Sequence, residues 1–402
     1  MRPPVLAALL LVAQTAVYSQ SADVLAKRIM EHMAQTLAVQ PNYTCVETVE
    51  RWVTPRKSKR YLQDRVRFEV ALVDGKETFA WPGAQKFEVT DLATLLPRGL
   101  RDTGDFATEL RELFDGKSAT FSALAEEQIG SSTFIRFDFA VPSGRSGLLV
   151  NQSNESSGYH GQLYIDPASL DPRRIHIVVE VQPKHGVSAA SKQLDLARVP
   201  IGAGNFLLPQ SADVYMTRLD DVEFFNHIEF KSCRQFTGDS VLKFDDPFTS
   251  PLTPASAPVR EVTVPAGLYF QVRPEEGFNL TDRAVGDPIR VKLDSDLKSN
   301  GSLLFAKGAA MEGRISRLIR TSNVTLVGIT LETIVSASGK ASIHPTPWDI
   351  RIPRPLAPRP AVNPSWTDNE AVIPMRHQLP VECDLNFLEN LKASRRPGTG
   401  CC

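Results

Sequence analysis

The residues in this chain with chemistry to offer are serines beside glycines, seven histidines, five cysteines and adjacent acids. Their spacing removes most of the reactions they could carry. A nucleophilic serine elbow needs Gly-x-Ser-x-Gly at a strained strand-to-helix turn. The nearest string, Gly144-Arg145-Ser146-Gly147, has its second glycine one place early and lies between strand-like segments, so Ser146 reads as a turn residue. No Gly-x-x-x-x-Gly-Lys-Ser/Thr or Gly-x-Gly-x-x-Gly string occurs, which leaves no phosphate cradle. His176 falls on the polar side of a strand and His160 in a turn, Gly158-Tyr159-His160-Gly161; neither has a second histidine at i+2 or i+4, and no metal site is expected. Glu126-Glu127, Asp220-Asp221 and Asp245-Asp246 read as solvated turns. Neighbours in a strand point to opposite faces, so they form no acid/base pair there either. An enzyme is not expected, and no cofactor is implied.

One charge run remains, Arg56-Lys57-Ser58-Lys59-Arg60, following Trp52 and Pro55. Its plain reading is a solvated hairpin tip. The sharper one is a docking point for anionic headgroups or an acidic partner, since each cation near a charged membrane adds about 1 kcal/mol.

The elements that must position these residues begin with an export signal. Met1-Arg2-Pro3-Pro4 is a short positive region, Val5–Ala13 is an apolar run, and Val17 and Ser19 suit cleavage before Gln20. The run is too short to span a bilayer, and no later stretch is long or apolar enough, so a secreted or periplasmic location without a transmembrane segment in the mature chain is expected. An oxidising compartment permits disulfides, and no CxxC or CxxH spacing suggests zinc. Cys45 lies in an early strand-like segment and Cys233 ends a late one; a bridge would staple the first and last strands of one domain. Cys383, Cys401 and Cys402 fall in the tail.

Leu25, Ile29, Met33 and Leu37 recur every four residues and predict a helix over 22–39, stopped by Pro41. Alternation then marks half-buried strands: Val66, Phe68, Val70 and Leu72; Ile135, Phe137 and Phe139; Ile175, Ile177, Val179 and Val181. Asp166-Pro167 and Asp171-Pro172 mark a hairpin, and a second short helix is predicted over Asp105–Phe114. Long antiparallel strands with two helices predict an α+β domain over 20–246. A Pro/Ser/Thr linker follows at 247–261, then short strands with regular glycine turns over 262–343, a small β-barrel or sandwich, and a Pro-rich, weakly ordered tail over 344–402.

Balanced charge, 45 Lys+Arg against 46 Asp+Glu, excludes a general field for nucleic acid. Hydrophobic residues make up 42%, enough for packed cores.

Two resemblances rest on specific phrases. Gly161-Gln162-Leu163-Tyr164-Ile165-Asp166-Pro167, Pro172-Arg173-Arg174-Ile175 and Phe206-Leu207-Leu208-Pro209-Gln210 resemble hairpins of the periplasmic lipoprotein-carrier family, and the N-terminal part also resembles uncharacterised secreted acidobacterial proteins. That resemblance implies a curled antiparallel sheet, a half-barrel, with an apolar cavity under helical lids. Ala284-Val285-Gly286-Asp287-Pro288 and Ala306-Lys307-Gly308-Ala309-Ala310-Met311-Glu312-Gly313-Arg314-Ile315 resemble the TrbI-type conjugation β-barrel, without that family's membrane helix. The bacterial character of both gives the Asn-x-Ser/Thr sites at Asn42, Asn151, Asn154, Asn279, Asn300 and Asn323 no glycosylation role.

Together, strand alternation and the carrier-like layout imply a lipid or acyl ligand lined by Val66, Phe68, Val70, Leu72, Ile135, Phe137, Phe139, Ile175, Ile177 and Val179. The first helix would cover it through Leu25, Ile29 and Met33. Two alternatives stay open. One is an envelope scaffold without a small ligand, docking a protein partner through the C-terminal β domain; the other is an enzyme of unrecognised type.

Overall fold

The structure is a computed structural model that describes residues 24–236, 260–275, 282–347 and 373–377, apart from 85, 88, 90, 97–98, 103–107, 115–116, 151–154 and 321–324. The signal segment 1–19, Asp245-Asp246, most of the 247–261 linker, Cys383, Cys401, Cys402, Asn151, Asn154, Asn279 and Asn323 lie outside the described residues.

The chain divides into two compact units, the first comprising Met1–Ser250 with Arg283–Asp287 and Arg317–Val327, the second the rest. The first unit opens with helix α1, described over 24–38. Ile29 and Met33 form its buried stripe, with Leu25 and Leu37 at the margin. Ten strands follow: β1 (Tyr43–Thr54), β2 (Tyr61–Val73), β3 (Lys76–Ala80), β4 (Thr120–Ile129), β5 (Ser132–Val141), β6 (Tyr159–Ile165), β7 (Pro172–Val179), β8 (Val187–Ile201), β9 (Gly204–Arg218) and β10 (Glu223–Gln235). They form one sheet in the order β3-β2-β1-β10-β9-β8-β7-β6-β5-β4, and the register pairs adjacent strands antiparallel. The sheet is thus two meanders, β1–β3 and β4–β10, joined where β1 meets β10. Bulges at Thr44/Val46, Ser122/Leu124 and Asp195/Leu196 mark points where the strands bend. No barrel closes among the described residues, because β3 and β4 remain the two edges.

Cys45 and Cys233 form a disulfide across the β1–β10 seam, with Cα atoms 4.1 Å apart and a sequence separation of 188. A loop of that length corresponds to about 5 kcal/mol in the chain-entropy picture, an upper figure.

The β3–β4 connection, residues 81–119, runs from one edge of the sheet to the other, nine strand spacings or roughly 43 Å along the sheet. It contains a 3-10 turn, Leu92–Thr94, and helix α2 (Thr108–Phe114), which ends at the residue its sequence predicts. Leu95, Leu96, Leu110, Leu113 and Phe114 from this connection join Ile29 and Met33 in the core.

The remaining described strands are β11 (Tyr269–Pro274), β12 (Pro288–Leu293), β13 (Leu297–Ser299), β14 (Ser302–Phe305), β15 (Ala310–Arg320), β16 (Thr325–Ser336), β17 (Gly339–Ser342), β18 (Pro345–Pro347) and β19 (Ile373–His377), all in the second unit except the stretch of β15 and β16 within 317–327. Seven of these strands run β17-β16-β15-β12-β11-β19-β18, and β13 and β14 form a separate hairpin. Strict alternation buries Phe270, Val272, Ile289, Val291 and Leu293 on one side of β11 and β12. This sheet is likewise open, and two short segments of the Pro-rich tail, β18 and β19, take part in it.

Candidate functional site

The lining residues named from the sequence come together on one face of the ten-stranded sheet. One row runs straight across eight strands: Val66, Val49, Ile228, Ala212, Leu194, Ile175, Leu163 and Phe137. Phe68, Val70, Leu72, Phe139, Ile177 and Val179 flank it on the same face, and Leu25 and Ile135 pack at its border. All belong to one continuous cluster with Ile29 and Met33. At Gly161, between Phe139 and Ile177, a Cβ would fall 1.8 Å from the His176 carbonyl oxygen, so only glycine fits the ladder there.

The neighbouring row is divided between polar and apolar residues. Across the same strands it reads Asp64, Arg51, Asn226, Val214, Lys192, Ile177, Gly161 and Phe139. Arg51 holds Asp64 in a bidentate pair, Nε to Oδ1 at 2.6 Å and Nη2 to Oδ2 at 2.5 Å. Asn226 Nδ2 donates to the carbonyls of Leu100 at 3.1 Å and Asp102 at 2.8 Å. Lys192, 2% exposed, places Nζ 3.4 Å from Asp102 Oδ2. A buried charge is tolerated only when paired and hydrogen-bonded. The acids and carbonyls that satisfy this row come largely from the connection at 100–102, which is thereby fixed over the sheet.

Helix α1 is held differently. His32 Nε2 lies 2.8 Å from Oδ1 of Asp171, the residue that closes the β6–β7 hairpin. Arg198 of β8 donates to the same carboxylate, Nε to Oδ2 and Nη2 to Oδ1, both at 2.8 Å, and Nη1 donates to the Asn205 carbonyl at 3.1 Å. Burial works against the charged form of Asp171, but the Arg198 and His32 hydrogen bonds outweigh it and hold the carboxyl below the usual range. Beside this cluster opens a groove of about 290 Å³ lined by His32, Gln35, Thr36, Val39, Arg198, Asn205 and Phe206.

The remaining sequence candidates stay apart. Ser146 is buried after a 3-10 turn, where its Oγ accepts from the Leu148 amide at 3.0 Å. His160 lies within β6 rather than in a turn, because the strand already begins at Tyr159, which packs edge-on to Phe139. His176 Nδ1 meets Gln162 Oε1 at 2.9 Å on the opposite, solvated face of the sheet, and burial followed by the nearby His160 lowers its pKa. Glu126 and Glu127 sit in strand β4, not in a turn, with Glu127 paired to Arg136 at 2.9 Å. Asp220 and Asp221 occupy the β9–β10 turn, and Arg56–Arg60 the β1–β2 tip. No group of three or more His, Cys, Asp or Glu side chains could hold a metal ion among the described residues.

Sequence reasoning missed Arg51, Asp64, Lys192 and Asn226, together with the His32–Asp171–Arg198 cluster. A signal was present for the first set: Arg51 stands between Val49 and Val53, and Lys192 two places before Leu194, in the phase of inward residues.

No family model matches the chain, and no curated protein matches it. Among solved structures, a LolA superfamily protein of Nitrosomonas europaea is similar over 53% of this chain and 94% of its own, with 8% identity and a TM-score of 0.28. A DUF1329 family protein of Desulfovibrio piger is similar over 55% of this chain and 97% of its own, with 10% identity and a TM-score of 0.31.

Proposed function

We propose that the first unit is a non-catalytic binding module of an exported protein, taking a long acyl chain or a similar elongated apolar molecule on the covered face of its ten-stranded sheet. The observation that carries this reading is the apolar row across eight strands, in one cluster with α1 and the β3–β4 connection. A disulfide between strands fits an oxidising compartment. No helix among the described residues is long and apolar enough to cross a membrane.

In the form described, Ile29 and Met33 occupy part of that face, so a ligand must displace α1 to reach it. A sixteen-carbon chain offers about 12 kcal/mol, against roughly 3–6 kcal/mol for exposing two such side chains and several more for association. Binding is therefore confined to long chains. Titration with fluorescent fatty acids of increasing length tests this: saturable binding should appear only for the longest chains and tighten when His32→Gln loosens α1. No saturable binding at any length, in wild type and variant alike, rejects the reading.

The filling of the face by the protein's own side chains favours a second reading. On that reading the first unit is a solid scaffold domain without a small ligand, and the second unit docks an envelope protein.

A further inference from the structure

We infer that the end of the sheet carrying the β1–β2 and β9–β10 tips is a docking surface for an anionic lipid bilayer. The proposal is independent of what the covered face binds. The two tips are neighbours: Thr54 pairs with Glu223, and Arg56 Nε lies 3.5 Å from Asp221 Oδ2. The first tip carries four cations in five residues, Arg56, Lys57, Lys59 and Arg60, all exposed. Lys57 and Lys59 have no acidic partner among the described residues. Counting Arg218, Asp220, Asp221 and Glu223 of the second tip, the surface keeps two net positive charges.

Behind the cations stands an aromatic platform. Arg60 stacks its guanidinium over Trp52, 5.2 Å from the ring centroid, and over Phe225 at 4.0 Å. Tyr215 continues the stack, 4.7 Å from Phe225. Tyr61 is 50% exposed, Tyr215 47% and Leu219 56%, so three large side chains face water at this one end. Trp and Tyr rings interleaved with Lys and Arg are the composition of a membrane–water interface, where rings enter the headgroup layer and cations meet the phosphates. A solvated hairpin tip needs the cations but gains nothing from exposing the rings. With only a few cations, the attachment is reversible and weakened by salt.

Co-sedimentation of the full chain with vesicles tests it. Vesicles of phosphatidylcholine with about 30% phosphatidylglycerol should bind the protein, and pure phosphatidylcholine should not. Raising salt from about 50 to 300 mM should release most of it. The double substitution Lys57→Ala, Lys59→Ala should weaken binding about thirtyfold. Tyr61→Ser with Leu219→Ser should remove the binding that survives at high salt; both positions are exposed, and an unchanged thermal melt verifies folding. The proposal is overturned if neutral and anionic vesicles bind equally, if neither binds, or if the lysine pair is indifferent. Equal affinity for soluble polyglutamate also overturns it, by pointing to an acidic protein instead.

Discussion

The two covers of the ten-stranded sheet, helix α1 and the β3–β4 connection, lie on one apolar face but are attached by different physics. The connection is tied to the sheet at both ends, buries Leu96 and Leu113 completely, and satisfies Asn226 and Lys192 with its own carbonyls and acid. Lifting it would leave buried donors unpaired, at about 1–3 kcal/mol for each group. Helix α1 contributes two fully packed side chains and one polar cluster whose outer members, His32 and Arg198, remain partly in water, with 27% and 34% of their side-chain surfaces exposed. One cover is part of the fold, whereas the other is a cover in the mechanical sense, able to leave with Asp171 still paired to Arg198 of β8.

The sharpest way to break this distinction is to truncate one apolar anchor in each. Leu113→Ala should cost about 2–5 kcal/mol of global stability and lower the midpoint of urea unfolding for the whole first unit. Met33→Ala removes a comparable volume, yet its effect should be confined to faster hydrogen exchange in 24–38, with the global midpoint moving far less. Equal global losses would mean that α1 is as integral as the connection. Next in size is Asn226→Ala, which should lower stability by about 1–3 kcal/mol and loosen residues 100–102 without changing exchange in α1.

The smallest effect belongs to the α1 cluster. Asp171→Asn should weaken helix docking by about 1–2 kcal/mol at neutral pH. The folded carboxyl titrates below its ordinary value near 4. Its stabilisation is therefore complete above that ordinary value and fades as pH falls through the depressed one. Protection in α1, taken relative to the intrinsic exchange rate at each pH, should fall in acid for the wild type and stay flat over that window for the Asn variant. An identical acid response in both would remove Asp171 as the group responsible.

Much of the covered face was legible because strand alternation is local. Val66 to Leu72, Ile135 to Phe139 and Ile175 to Val179 each declare an inward side within a few residues, and the sheet keeps those sides together. Asp166-Pro167 likewise announced the β6–β7 hairpin. Arg51 and Lys192 stand in the inward phase, but the acids that let them be charged there, Asp64 and Asp102, are set by tertiary pairing and not by that phase. Asp102, which faces Lys192, lies on a connection whose path across the sheet no periodicity encodes. The His32–Asp171 contact spans 139 residues and depends on how α1 lies against β6, β7 and β8. Local pattern specifies faces, while long-range pairing decides which charges those faces can hold.

The junction of β1 with β10 has a consequence in time as well as in space. Each of the two meanders pairs strands that are near neighbours in sequence, so β1–β3 and β4–β10 can each assemble soon after synthesis. The ladder between them cannot begin until residues beyond 223 have emerged, since β1 finds its partner only there. Loop closure over so long a span is among the slow events of folding. Until it happens, β1 and β10 are both open edges bearing an unpaired thiol, Cys45 on one and Cys233 on the other. The vulnerable interval for this protein is therefore the one before its two meanders meet, and the thiols that later lock them are the natural clock for that meeting.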